Sequence, residues 1–232
     1  MMDGLRRYTR QRRGQTLYNF LKTFPRPLKI IDLGGTVRFW ETLGVTDADG
    51  LTITLVNNHE MDKTSVGQIN RFGFVHEWVA DALTISEDDL GRFGLIFSNS
   101  FIEHLSCREQ QAFIASRIMR SERPYFIQTP NKRSPIDPHF PHACVPFFAL
   151  YPKRVQARLL TLGELGGGWK APSIEAALDA LKFYNPLCLQ DLRVLFPGAE
   201  LHVERPFGVP MSILAIHRGS PAKAALPPAF SE

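Results

Sequence analysis

The sequence predicts an α/β fold: a doubly wound, mainly parallel sheet of seven strands with helices on both faces and a small insertion after the fifth strand. Three observations carry this. Short apolar and β-branched runs alternate with stretches of helical spacing, the pattern of a parallel sheet with crossover helices. The runs close in glycine or small polar residues, where open α/β sheets place their ligands. With 232 residues, 44% of them hydrophobic and 11% aromatic, the chain supports one domain with a substantial core, whereas a second full domain would be cramped.

Each element follows in order. Residues 5–24 place Leu17, Phe20 and Leu21 at helical spacing before the Pro25-Arg26-Pro27 break, predicting a leading helix. Residues 28–33 read as the first strand, ending in Asp32-Leu33-Gly34-Gly35-Thr36. Val37, Phe39, Trp40 and Leu43 then suit a helix that Gly44 can end. Residues 51–56 give a second strand closed by Asn57-Asn58, 72–79 a third leading into Ala80-Asp81-Ala82, and 93–98 a fourth ending in Asn99-Ser100. A helix over 108–121 puts Phe113, Ile114 and Ile118 on one face, and 125–128 is the fifth strand before Thr129-Pro130-Asn131. Residues 132–187 form the insertion, rich in proline, with a helical stretch near 155–162 and the flexible Gly166-Gly167-Gly168. A helix near 189–196 and strands at 200–203 and 211–217 complete one domain over 1–219, and the Ala- and Pro-rich 220–232 reads as a disordered tail.

The formal net charge of +4 resides in the amino terminus, where Arg6, Arg7, Arg10, Arg12 and Arg13 face Asp3; the remainder is balanced. Residues 1–27 are thus a basic helical start, able to touch RNA or an anionic membrane surface, or simply a solvated helix turn. Cys107, Cys144 and Cys188 are odd in number and widely spaced, so buried thiols in a reduced, cytoplasmic compartment are expected. No apolar run reaches the length of a membrane span, and no secretory core follows the arginines.

The first strand's end carries the most chemistry. Gly34-Gly35 remove the Cβ atoms that would hold a ligand off the backbone, and a carboxylate there repels a pyrophosphate while attracting an ammonium or sulfonium. A nicotinamide-dependent oxidoreductase would need G-x-G-x-x-G and an acid after the second strand; Gly34-Gly35-Thr36-Val37-Arg38-Phe39 and Asn57 supply neither. Taken singly, the glycines could be a tight turn, and Asp81 or Ser98-Asn99-Ser100 could be caps. As an ordered set, these strand ends with Ile102-Glu103-His104, Thr129-Pro130-Asn131 and Pro138-His139-Phe140 resemble the class I S-adenosylmethionine-dependent methyltransferases, most nearly the small type 11 group, with a Rossmann-like fold.

The resemblance implies S-adenosylmethionine as cofactor and S-adenosylhomocysteine as product. By position, Asp32, Gly34, Gly35 and Thr36 would surround the methionine part, Asn57 with Asn58 the ribose, Asp81 with Ala82 the adenine, and Ser98 with Asn99 the sulfonium side. Asn57 departs from the family pattern, which has an acid there. That departure keeps an alternative open, a catalytically inactive interaction protein.

Methyl transfer to a hydroxyl needs a base, and histidine suits neutral pH. His139 is the first candidate and His104 the second, with Glu103, Asn131, Arg133 and His142 as acceptor contacts. Glu103-His104 could join Asp137 or His139 in a metal site, but the spacing follows no recognised ligand pattern, so no metal is expected. The D/N-P-P-Y/F/W element of base-amine methylation is missing, with Ser98-Asn99-Ser100-Phe101 in its place. A small-molecule or glycan hydroxyl is therefore preferred over DNA, and RNA stays open through the basic start.

Overall fold

A computed structural model describes residues 14–60, 67, 72–137, 139, 145–163 and 170–219. The arginine-rich start, His142, Cys144, the triple glycine and the 220–232 tail lie outside the described residues. Seven strands, β1 (Leu28–Leu33), β2 (Leu51–Asn57), β3 (Val75–Val79), β4 (Leu95–Asn99), β5 (Tyr125–Pro130), β6 (Glu200–Glu204) and β7 (Ser212–His217), form one sheet in the order β3-β2-β1-β4-β5-β7-β6. The first five strands run parallel, and β7 pairs antiparallel with both β5 and β6. β1 is central, so the strand order reverses between β1 and β4, and the crevice beyond their carboxyl ends is the switch point at which such sheets bind ligands.

Seven helices are described: α1 (14–21), α2 (Val37–Leu43), α3 (Glu87–Gly91), α4 (Arg108–Arg120), α5 (Lys153–Leu162), α6 (Ile174–Leu181) and α7 (Leu189–Leu195). Strand alternation sorts the core into two faces. Ile30, Ile53, Leu55, Phe97, Phe126 and Leu214 pack with Leu17 and Leu21 of α1 and Trp40 of α2. Their neighbours along the strands, Ile31, Val56, Ile96, Ile127 and Ile213, meet Ile114 and Ile118 of α4 and Leu192 of α7 on the other. Fully burying each such side chain contributes roughly 1.5–3 kcal/mol, which fixes strand register and therefore the positions of the strand ends.

The insertion carries a third core of its own, Phe148, Ala157, Leu160, Ala177, Leu181 and Tyr184, where α5 packs on α6. Lys153 fastens that pair by donating its ammonium to the carbonyls of Leu181, at 2.9 Å, and Tyr184.

Several boundaries differ from the sequence reading. The third strand starts at Val75, because Phe72–Phe74 turn into it, and the fifth continues to Pro130 through its pairing with β7. α3, at five residues, and α6, at eight, are short helices that the sequence reading does not place. Phe113 does not share the buried face of Ile114 and Ile118; it is 41% exposed, and the Arg117 guanidinium lies 4.4 Å from its ring centroid. Cys107 and Cys188 are free thiols, half-buried rather than buried. No helix among the described residues is long and apolar enough to cross a membrane.

Candidate active site

The turn after β1 is shaped by two glycines. Gly34 has φ +72°, and a Cβ on it would sit 2.7 Å from Phe101. Its N–H donates to Val56 O at 2.8 Å, tying the turn to β2. A Cβ on Gly35 would lie 2.3 Å from the Asp32 carboxylate and 2.8 Å from Leu55. Asn57, at the end of β2, donates its amide to Gly35 O at 3.0 Å, so the residue that breaks the acidic pattern holds the turn from outside.

Asp32 is 1% exposed and accepts from Trp40 Nε1 at 2.8 Å, while its other carboxylate oxygen is buried without a hydrogen-bond partner. Burial pushes its pKa up to about 8, against the opposing pull of the Trp40 hydrogen bond. Trp40 was legible as part of the helix, but its bond to Asp32 was not. Asp81 lies beyond β3, where its carboxylate accepts from Leu83 N at 2.9 Å, next to buried Ala82. Asn58 is exposed, and its Oδ1 accepts from His59 Nδ1 at 2.8 Å. Buried Ser98 donates to Leu33 O at 3.2 Å, clamping β4 to β1.

Beyond Asn99 the chain passes through Ser100 at φ 58°, a left-handed conformation uncommon for a residue with a side chain, which turns the segment over the sheet edge. Thr36 and Asn99 both line a cavity of about 600 Å³ between α1 and α2, with Gln15, Tyr18, Phe39 and Leu43.

Across the edge, the turn after β4 and the start of the insertion build a polar cluster. The His104 and His139 rings meet edge to face with their Nε2 atoms 3.2 Å apart. Each Nδ1 faces an oxygen: Asp137 Oδ1 at 3.0 Å for His139, and Phe183 O at 3.1 Å for His104. Tyr184 donates its hydroxyl to the second Asp137 oxygen. Glu103 is fully buried, accepts from Thr129 Oγ1 at 3.0 Å, and keeps Oε1 without a hydrogen-bond partner. Among the described residues, Glu103, His104 and His139 bring one ligand atom each within 4.8 Å of one another, a combination the sequence offers although its spacing follows no ligand pattern.

The electrostatics divide the two imidazoles. Burial and then the charge of His139 push the His104 pKa below its usual value. Burial opposes protonation of His139 too, but the hydrogen bond and charge of Asp137 outweigh it and raise that pKa. Asp137, itself pushed up by burial, is held below the carboxylate range by His139 and Tyr184. Burial pushes Glu103 up to about 7.

Other anticipated acceptor contacts fall differently. Asn131 donates its amide to Pro210 O at 3.1 Å and accepts from Arg133 N at 3.0 Å, so it serves to join β5 to the start of β7 rather than facing an open pocket. Arg133 is exposed. Tyr184, Gln111 and Asn185 gave no signal in the sequence. Gln111 donates to Ile102 O at 3.0 Å and Asn185 O at 2.9 Å, and Asn185 donates to Leu105 O at 2.9 Å, fastening the insertion to the turn that carries Glu103 and His104.

The strand order, mostly parallel with an antiparallel seventh strand and helices on both faces, is a Rossmann-like α/β fold. The chain superposes on the N-terminal domain of EvdMO1 crystallised with S-adenosylhomocysteine and D-fucose (TM-score 0.54, 14% identity, 91% of this chain and 83% of that one). It superposes equally on a possible exported protein from Bordetella parapertussis (TM-score 0.55, 12% identity, 91% and 68%). An O-methyltransferase family protein from Burkholderia thailandensis is more distant (TM-score 0.48, 10% identity, 93% and 59%), and this chain spans less than two thirds of its length. No family model and no curated protein sequence matches the chain, so the likeness is one of fold.

Proposed function

We propose that this protein is a cytoplasmic S-adenosylmethionine-dependent methyltransferase acting on a hydroxyl of a small molecule or glycan. The observation that carries the reading is the convergence, at one sheet edge, of a Cβ-free turn after β1, Asn57 at the end of β2 and a histidine pair beyond β4 and β5. The residues fit the cofactor: Gly34 and Gly35 clear the turn, and the buried Asp32 carboxyl beneath it keeps one oxygen without a hydrogen-bond partner, an acceptor whose ionised form the arrival of an ammonium would favour. In this reading Asp32, Gly34, Gly35 and Thr36 receive the methionine part, Asn57 and Asn58 the ribose, Asp81 and Ala82 the adenine, and Ser98 and Asn99 the sulfonium side. The cofactor supplies an electrophilic methyl on sulfur.

The acceptor oxygen forms the new O–C bond in line as the S–C bond breaks. The bonding pair stays on sulfur, S-adenosylhomocysteine leaves, and the acceptor proton passes to the histidine pair. Within that pair His104, held neutral and open to solvent on one side, is the better proton acceptor, and His139, anchored by Asp137, carries the charge that develops. This reverses the order expected from sequence.

Titration calorimetry with S-adenosylmethionine and S-adenosylhomocysteine tests the cofactor. One ligand per chain with micromolar or tighter affinity supports the reading; silence with both returns the chain to the inactive interaction protein.

A further inference from the structure

We infer that Glu103, His104 and His139 form a binding site for one divalent transition-metal ion, with zinc the best match. Two imidazoles and a carboxylate, leaving a position for a further oxygen, are a zinc ligand set, and imidazole-rich sites favour late first-row ions over magnesium or calcium.

The geometry is the first support. Zinc binds histidine nitrogen at about 2.0–2.1 Å, so two nitrogens at a tetrahedral angle lie roughly 3.3–3.4 Å apart. The two Nε2 atoms stand at 3.2 Å.

The surroundings of each ligand are the second. Ligating histidines characteristically present the other ring N–H to a carboxylate or carbonyl, which fixes tautomer and ring orientation. His139 Nδ1 faces Asp137 and His104 Nδ1 faces Phe183 O. With both Nδ1–H groups donating, the two Nε2 atoms can stand this close only with a cation between them, either a proton on His139 or a metal ion. The carboxylate of Glu103 in the same cluster favours the metal ion.

The third support is Glu103. A buried carboxylate with an oxygen that accepts no hydrogen bond is costly in a folded protein. This one lies in the same cluster as both nitrogens. Glu103 and Asp137 together carry the charge that balances a dication, and the exposed side of His104 leaves a route in from solvent. With the ion bound both Nε2 lone pairs are taken up, so the pair then serves as ligand and not as base, and an acceptor hydroxyl in the open position would instead lose its proton to solvent more readily.

The site shares residues with the proposed catalytic pair but does not depend on methyl transfer, so the test uses the metal alone, with no cofactor. The full chain, stripped with a chelator, is titrated with Co²⁺ and then Zn²⁺, reading the cobalt visible absorption and the zinc stoichiometry by elemental analysis. The expected result is one ion per chain with a four- or five-coordinate cobalt spectrum. Exposed His104→Gln should weaken binding at least 100-fold while the protein keeps its circular dichroism, and Asp137→Asn should weaken it 10- to 100-fold through loss of orientation. Failure of the native chain to take up either ion, or binding that His104→Gln and His139→Ala leave unchanged, overturns the assignment. A nitrogen-15 imidazole spectrum showing one proton shared between the two Nε2 atoms in the presence of excess Zn²⁺ would overturn it equally.

Discussion

The two halves of the ligand edge are held in different ways. At the β1 end, Asp32 is fixed by Trp40, eight residues on within the same strand–helix unit, and the turn between them is closed by backbone and by Asn57. At the β4–β5 end, Glu103 and His104 depend on groups from far along the chain: Thr129, Phe183, Asn185 and His139. The first half is part of the sheet's own core, and the second rests on an insertion with a separate core. A rigid, locally encoded end thus faces a remotely assembled one. That division suits an enzyme that keeps one cofactor and takes a particular acceptor.

The comparison can be broken from either side. The largest effect is expected at the assembled end: His104→Ala should lower turnover roughly 10²- to 10⁴-fold while leaving S-adenosylhomocysteine affinity within about twofold. Equal loss of affinity would mean that the two ends are not separate. If the chain transfers methyl groups as proposed, the pH profile of the native protein should fall on the acid side at a pH below the ordinary imidazole value, because His104 must be unprotonated.

On the local side, Gly35→Ala forces a Cβ into Asp32 and Leu55. Overpacking of that kind costs about 1–3 kcal/mol, and calorimetry should show cofactor affinity lowered at least tenfold.

Asp32 gives a pH signature. Its folded pKa is about 8 against an ordinary 3.8, so the folded chain binds the extra proton between those values and its stability falls as pH rises through that window. Asp32→Asn keeps an acceptor for Trp40 and should flatten the slope, raising Tm at pH 8 by about 5 °C. A slope unchanged by the substitution would place the titration elsewhere.

The smallest effect belongs to Tyr184→Phe, which removes the hydroxyl that donates to Asp137. A stability loss of about 1 kcal/mol is expected by thermal melting, with cofactor affinity untouched.

Legibility in the sequence follows the same division. The glycine turn and the succession of strands and helices could be read because they depend on neighbours and on alternation: Asp32 sits in its strand as the periodicity places it, and Gly44 ends α2 with φ 76°. His104 and His139 could be named one by one as chemically apt residues. Their edge-to-face approach could not be read, because it is set by Asp137, Tyr184 and Asn185 closing contacts up to 80 residues apart. Asn131 misled for the same reason, its amide being taken up by Pro210 from the far end of the chain.

The most direct test of the whole account is a crystal structure of the chain soaked with S-adenosylhomocysteine. The account predicts its amino-acid end over the Gly34-Gly35 turn above Asp32, its ribose at Asn57, and its sulfur toward Asn99 and the histidine pair. An unoccupied turn at saturating ligand, or a dinucleotide lying there instead, would contradict it.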